Sequence, residues 1–126
     1  MDTIVNTKYD DFGNVIYVKY SSGYEIVCEY DINNNLIHYK NSDGYEEWYE
    51  YDSVGNKTHY KNSNGYERWY KYDTMGNEIY FKDSYGNKIW YKYNSDGNFM
   101  FMYMNRISGL FKRIFYPLLD FLQKII

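Results

Sequence analysis

Proline occurs once and cysteine once in these 126 residues, and Leu, Val and Ala are scarce until the C-terminal segment. Each shortage excludes something. A lone Cys28 rules out an internal disulfide framework and reads as a small strand residue rather than a reactive thiol. The formal charge of -3 comes from interspersed Lys, Arg, Asp and Glu, so no basic block provides the footprint of a duplex-binding protein and no acidic run imitates DNA. Residues 1–6 lack the basic start and apolar stretch of a secretory signal, so the chain is expected to stay in the cytoplasm where it is made. The Asn56-Lys57-Thr58 glycosylation pattern is set aside on the same ground. Abundant Asn, Lys, Ile and Tyr suit a genome of low GC content, bacterial or phage.

Aromatic residues, by contrast, make up 23% of the chain, with Tyr at 19 positions. Tyrosine packs its ring and keeps its hydroxyl wet or hydrogen-bonded, which suits thin layers close to water on both sides. The tyrosines follow a repeat. Tyr9-Asp10, Tyr30-Asp31, Tyr51-Asp52, Tyr72-Asp73 and Tyr93-Asn94 recur at a constant period of 21. A Gly-containing turn lies between them at the same period: Ser22-Gly23, Asp43-Gly44, Asn64-Gly65 and Tyr85-Gly86.

The runs between turns are short, aromatic and bounded by Gly, as in Tyr66-Glu67-Arg68-Trp69-Tyr70-Lys71-Tyr72, and they read as strands. Asp-x-x-Gly suits a three-residue loop, a type I turn closed by a left-handed Gly, whereas Asp-Gly and Asn-Gly suit two-residue type I′ loops. An odd period keeps equivalent residues on one face only if the two hairpin connections differ in parity. This scheme predicts an all-β, single-layer, coiled antiparallel meander of about ten strands over residues 1–104. It places Trp48 opposite Tyr39 and Tyr60 in one apolar ladder, and Tyr49 opposite His38 and His59 on the other face.

Tyr-Asp-x-x-Gly-Asn, with a second Gly about ten residues on, resembles the YD repeat of Rhs and teneurin-type proteins over residues 9 to 98. In that family long hairpin arrays wind into a hollow shell around a toxin domain or an adhesive module. The resemblance implies the fold. Five units, Asn where the family has Arg after the turn Gly, and no self-cleaving core domain do not imply encapsulation.

From residue 105 the composition changes. At 100° per residue Lys112, Arg113, Asp120, Gln123 and Lys124 fall on one arc, and Phe111, Phe115, Leu118 and Leu122 on the other, with Pro117 between. An amphipathic α-helix over 105–126 is expected, kinked at the proline. The four charges among residues 107–126 argue against a membrane-spanning helix. Three roles stay open: a cap on the sheet edge, a partner-binding or self-associating helix giving a homo-oligomer, and a membrane-surface helix.

No catalytic constellation emerges, and no cofactor or metal is expected. His38 and His59 are repeat equivalents two strands apart, roughly 10 Å, too far for shared metal ligation. Asp31, Asp52 and Asp73 offer one carboxylate per turn, where calcium wants six to eight oxygens; they read as turn caps. Glu46, Glu67, Lys61, Arg68, Lys71 and Lys82 read as a solvated charge lattice. What remains is recognition. The candidate partner-binding residues are Tyr49, Tyr51, Tyr70, Tyr72, Tyr80, Tyr91 and Tyr93 on the sheet, with Phe111, Phe115, Leu118 and Leu122 on the helix. The expected function is non-enzymatic protein binding, in a narrower form the inhibition of a bacterial defence nuclease by a phage product. A glycan or cell-wall binding repeat and a self-assembling structural fragment are the alternatives.

Overall fold

The turns carry the chemistry that organises this chain. In the computed structural model, which describes residues 1–105 and the backbone of 111–114, every described connection closes in the same way. Asp52 N–H donates to the Asn56 carbonyl at 2.9 Å and Gly55 N–H to the Asp52 carbonyl at 3.1 Å. The Asp52 carboxylate then accepts from Val54 N (3.0 Å), Asn56 N (2.8 Å) and Asn56 Nδ2 (3.0 Å). Asp10, Asp31, Asp73 and Asp83 make the same three bonds. The acidic residues cap turns, as their spacing implies, and the Asn after the turn Gly has a structural task of its own.

The second turn class departs from the expected two-residue loop. Asn41 N–H donates to the Tyr45 carbonyl at 3.0 Å, enclosing three residues. A type I′ turn would need a positive φ at Asp43 as well as at Gly44. Among the described residues only Asn34 shows one outside glycine. The Asn41 side-chain oxygen holds Asp43 N and Tyr45 N, each at 3.1 Å, and this clamp selects the three-residue form. Both loop classes are therefore odd. The compensating residue is a β-bulge beside each Tyr-Asp turn, seen as register shifts at Lys8/Tyr9, Glu29/Tyr30, Glu50/Tyr51 and Lys71/Tyr72.

The strands are β1 (Ile4–Tyr9), β2 (Val15–Tyr20), β3 (Glu25–Tyr30), β4 (Leu36–Asn41), β5 (Glu46–Tyr51), β6 (Lys57–Asn62), β7 (Glu67–Tyr72), β8 (Glu78–Asp83), β9 (Lys88–Tyr93), β10 (Phe99–Asn105) and β11 (Phe111–Ile114). Their order in the sheet is their order in the chain. Residues 1–67 and 68–126 form two compact units, described here in turn.

In the first unit, Trp48 faces His38 and Lys61, and Tyr49 faces Tyr60. The even-odd loop scheme placed Trp48 against Tyr39 and Tyr60, one residue away. The longer loop, and the bulge for every partner beyond it, move the pairing by one and so exchange which residues share a face, while Tyr51 stays opposite Lys57 on the turn side of the bulge. Stepping from His38 to Trp48 to Lys61 lands two residues beyond His59, the repeat equivalent of His38. Each hairpin is thus staggered by about 7 Å along the strands, the kind of shear that curls a sheet. Equivalent residues still share a face, because a shift of two preserves side-chain direction. Serines in the second turn class stitch successive hairpins: Ser42 N donates to the Glu25 carbonyl (2.9 Å) while Ser42 Oγ accepts from Glu25 N (3.0 Å), and Ser63 does the same with Glu46.

In the second unit, β7 to β10 keep the same pattern: Trp69 faces Lys82, Tyr70 faces Phe81, and Tyr80 faces Trp90. β11 pairs with β10 from Met102↔Ile114 to Asn105↔Phe111. These four residues are extended where an amphipathic helix was expected, because the open edge of β10 offers backbone partners to any extended segment that follows it. The remainder of the helix, with Phe115, Leu118 and Leu122, lies outside the described residues.

Candidate partner-binding faces

No apolar side chain is buried among the described residues; the two buried side chains are the turn clamps Asn62 and Asp83. Tyrosine rings lie half-buried on the face that alternation assigns to Ile26, Cys28, Tyr39, Tyr49, Tyr51 and Tyr60 in the first unit. Burial raises the Cys28 thiol pKa, which suits a strand residue and not a nucleophile. The Tyr51 hydroxyl donates to the Leu36 carbonyl at 2.9 Å and, one repeat earlier, Tyr30 to Val15 at 3.1 Å. These tyrosines tie one hairpin to the next.

Glu47 sits among the phenols. Tyr45 and Tyr60 each donate to its Oε1 at 2.8 Å, Tyr49 donates to Oε2, and Lys57 Nζ stands 4.6 Å from the centre of the Tyr49 ring. Burial alone would raise the Glu47 carboxyl; the three phenol bonds and Lys57 outweigh it, leaving the pKa below the usual range. Tyr49 and Tyr45 move the other way. Tyr49 is pushed up by burial and then by Glu47, and Tyr45 by its bond to Tyr60, burial and Glu47. Positions 26 and 89, equivalent to 47, hold Ile. Glu47→Ile should therefore fold with a melting temperature within a few degrees of the parent, since it replaces a hydrogen-bonded carboxylate by the residue its neighbours already accept. Spectrophotometric titration should show Tyr49 ionising at lower pH in that variant; an unchanged titration would refute the role given to Glu47.

In the second unit Tyr70, Tyr72, Tyr91 and Tyr93 share one face with Phe81 and Met102. Tyr70 meets Phe81 edge-on at 5.6 Å. Burial raises the phenol pKa of Tyr91 and Tyr93. Glu78, turned toward Tyr72 by the bulge, has its carboxyl raised by burial against a bond from Tyr91. Tyr80 is not part of this group. It lies on the opposite face against Trp90 (5.4 Å), with Lys71 Nζ 5.6 Å from its ring centre. The register displaced by one accounts for its move. Of the remaining candidates, Phe111 lies in β11 and its side chain is outside the description, as are Phe115, Leu118 and Leu122.

The Trp-bearing face of the first unit holds both histidines, each beside glutamates. His38 Nε2 is 2.8 Å from Glu46 and its ring stacks on Trp48 at 5.4 Å; Glu29 stands 3.6 Å from Nδ1. One repeat on, His59 bridges Glu67 (2.9 Å) and Glu50 (3.1 Å). The His38 bond, followed by Lys40, keeps the Glu46 carboxyl below its usual range against burial. Trp48, Glu50, His59, Lys61 and Glu67 line an open hollow of about 420 Å³. The period of 21 showed that the histidines were equivalent; their glutamate partners could be found only with the register. Among the described residues no group of three or more His, Cys, Asp or Glu is placed to hold a metal ion.

The fold is thus an open, antiparallel, Tyr-rich hairpin-repeat array of the Rhs-like kind. Solved structures share it: the crystal structure of TcdB2-TccC3 superposes with a TM-score of 0.72 over 88% of this chain at 16% identity. The Photorhabdus luminescens Tc holotoxin pore superposes with a TM-score of 0.72 over 87% at 17% identity. The chain spans 7% of the length of each. No protein-family model and no curated protein sequence matches it.

Proposed function

We propose that this chain is a non-enzymatic repeat module that binds a protein through its Tyr-rich face in the cytoplasm. The observation that carries this is the lack of a second layer among the described residues: a row of tyrosine rings occupies one face, yet no apolar side chain among those residues is buried. A sheet with half-exposed aromatic rows gains from covering them, and Tyr rings with two rotatable bonds are economical contact residues. The likeness to parts of Tc toxin assemblies supports a binding or structural repeat. In its narrower form the partner is a bacterial defence nuclease that the module inhibits.

The test is affinity capture from bacterial lysate with the parent and with Tyr70→Ser/Tyr91→Ser. Recovery of a stoichiometric protein by the parent, with capture reduced tenfold or more in the variant at unchanged circular dichroism, is the expected result. Equal capture by both would remove the Tyr face from the proposal, and inhibition of a captured nuclease in a cleavage assay decides the narrower form. Self-assembly is the second reading, favoured by exposed Ile4, Val5 and Tyr9 on the edge strand β1; light scattering that finds only monomer would end it.

A further inference from the structure

The Trp-bearing face changes character between the two units. Positions occupied by Glu50, His59 and Glu67 in the first unit are occupied one repeat later by Lys71, Tyr80 and Lys88. In the first unit two lysines of one recurring position find an acid: Lys19 meets Glu25 at 3.0 Å and Lys40 meets Glu46 at 3.4 Å. Lys82 holds the same position in the second unit, and the residue facing it is Lys88.

Two like charges directly opposed across a strand pair are destabilising. No Asp or Glu stands in these rows to relieve them. One row runs Trp69, Lys82, Lys88, Asn105 and its neighbour Lys71, Tyr80, Trp90, Tyr103. Of the two acids in β8, Glu78 is turned by its bulge to the Tyr face, where it meets Tyr91, and Asp83 is buried as the clamp of its own turn. Lys82 and Lys71 rest over rings instead of carboxylates, with Lys82 Nζ 4.9 Å from the Trp69 centre. Lys92 adds a fourth cation opposite Phe101. Trp90 and Tyr103 keep 38% and 40% of their surface in water, leaving ring area open beside the lysines.

We infer that this face of the second unit binds single-stranded nucleic acid, with phosphates on Lys71, Lys82, Lys88 and Lys92 and unpaired bases on Trp90 and its neighbouring rings. A polyanion relieves the Lys82–Lys88 opposition. Bases additionally use the exposed rings, which a bare polyanion leaves in water, and base–aromatic stacking tolerates any sequence. A duplex hides its ring faces and gains only the charge contact. This face is opposite the proposed protein-binding one, so the two proposals stand or fall separately.

The experiment is fluorescence anisotropy of the full chain with a labelled oligothymidylate of about 12 nucleotides, a length within reach of single-strand binding surfaces. Binding should weaken with salt with a logarithmic slope near -3, from about four neutralised phosphates at about 0.7 each. Trp fluorescence should be quenched on binding. Lys71→Glu/Lys88→Glu introduces the residues found at the equivalent first-unit positions; it should fold and bind at least tenfold more weakly. Trp90→Ala should lose about tenfold, whereas Lys61→Ala, in the first unit, should change nothing. The inference is overturned if the oligonucleotide does not bind at low salt, or if Trp90→Ala binds as well as the parent. Equal binding to heparin or to vesicles rich in phosphatidylserine would overturn it too, by making the face a general polyanion or lipid site.

Discussion

Asp83→Ala should lower stability to urea by about 2 kcal/mol, and Asp83→Asn by less than about half of that. Asp83 is 5% exposed. Its carboxylate accepts from Tyr85 N and Asn87 N, both at 3.0 Å, and from Asn87 Nδ2 at 2.8 Å. Alanine leaves these donors without their partner at a turn, where loss of a side-chain cap typically costs 1–3 kcal/mol. Asparagine keeps the two backbone bonds, as Asn62 does one repeat earlier with Asn64 N and Tyr66 N. It loses only the bond to the Asn87 side chain. Equilibrium unfolding in urea with unchanged m-values checks the comparison. Equal losses in the two variants would show that the clamp is not what holds the turn.

Raising the pH above about 10 should unfold the array in step with ionisation of its tyrosines. The folded state raises the phenol pKa of Tyr30, Tyr39, Tyr51, Tyr91 and Tyr93, chiefly by burial, and of Tyr17 chiefly through its bond to Glu25. Tyr45 and Tyr49 are raised furthest. A group whose folded pKa lies above its unfolded one contributes stability that is complete below the unfolded value and is lost as pH rises through the folded value. Many phenols share that sign, so their losses accumulate. Phenolate absorbance and circular dichroism should therefore change together; phenols titrating near pH 10 with the sheet intact would refute the account.

The acid limb has the opposite sign. Side-chain bonds from Asn14 and Asn35 lower the carboxyl pKa of Asp10 and Asp31, and the Asn77 backbone bond that of Asp73. At Asp52 burial acts to raise the pKa, but the bonds from Asn56 and Val54 prevail and lower it. Their contribution is present above about pH 4 and is lost as pH falls through the folded values.

The meander and the role of the turn aspartates were legible because each depends on a few adjacent residues. Asp52, Val54 and Asn56 lie within one turn, and a period of 21 with Gly at φ near +90° leaves little else for the backbone to do. Six of the seven candidate tyrosines on the sheet fall on the Tyr face of their own unit. Tyr80 was misplaced because its face depends on a bulge between Lys71 and Tyr72, and a bulge leaves no mark in an alternating pattern that it displaces by one residue. The two-residue reading of Asp43-Gly44 failed for a similar reason: the Asn41 side chain, outside the dipeptide, chose the loop.

The order of residues alone therefore determined that this protein is a tandem array of antiparallel hairpins with equivalent residues on common faces, because backbone conformation and side-chain alternation are local. Register decided the rest. A shift of one partner per hairpin brought Tyr60 to Tyr49, His59 to Glu50 and Lys82 to Lys88. Lysines scattered through the chain without forming a basic run became one cationic face, because charge density is a property of neighbouring strands about 4.8 Å apart and not of neighbouring residues.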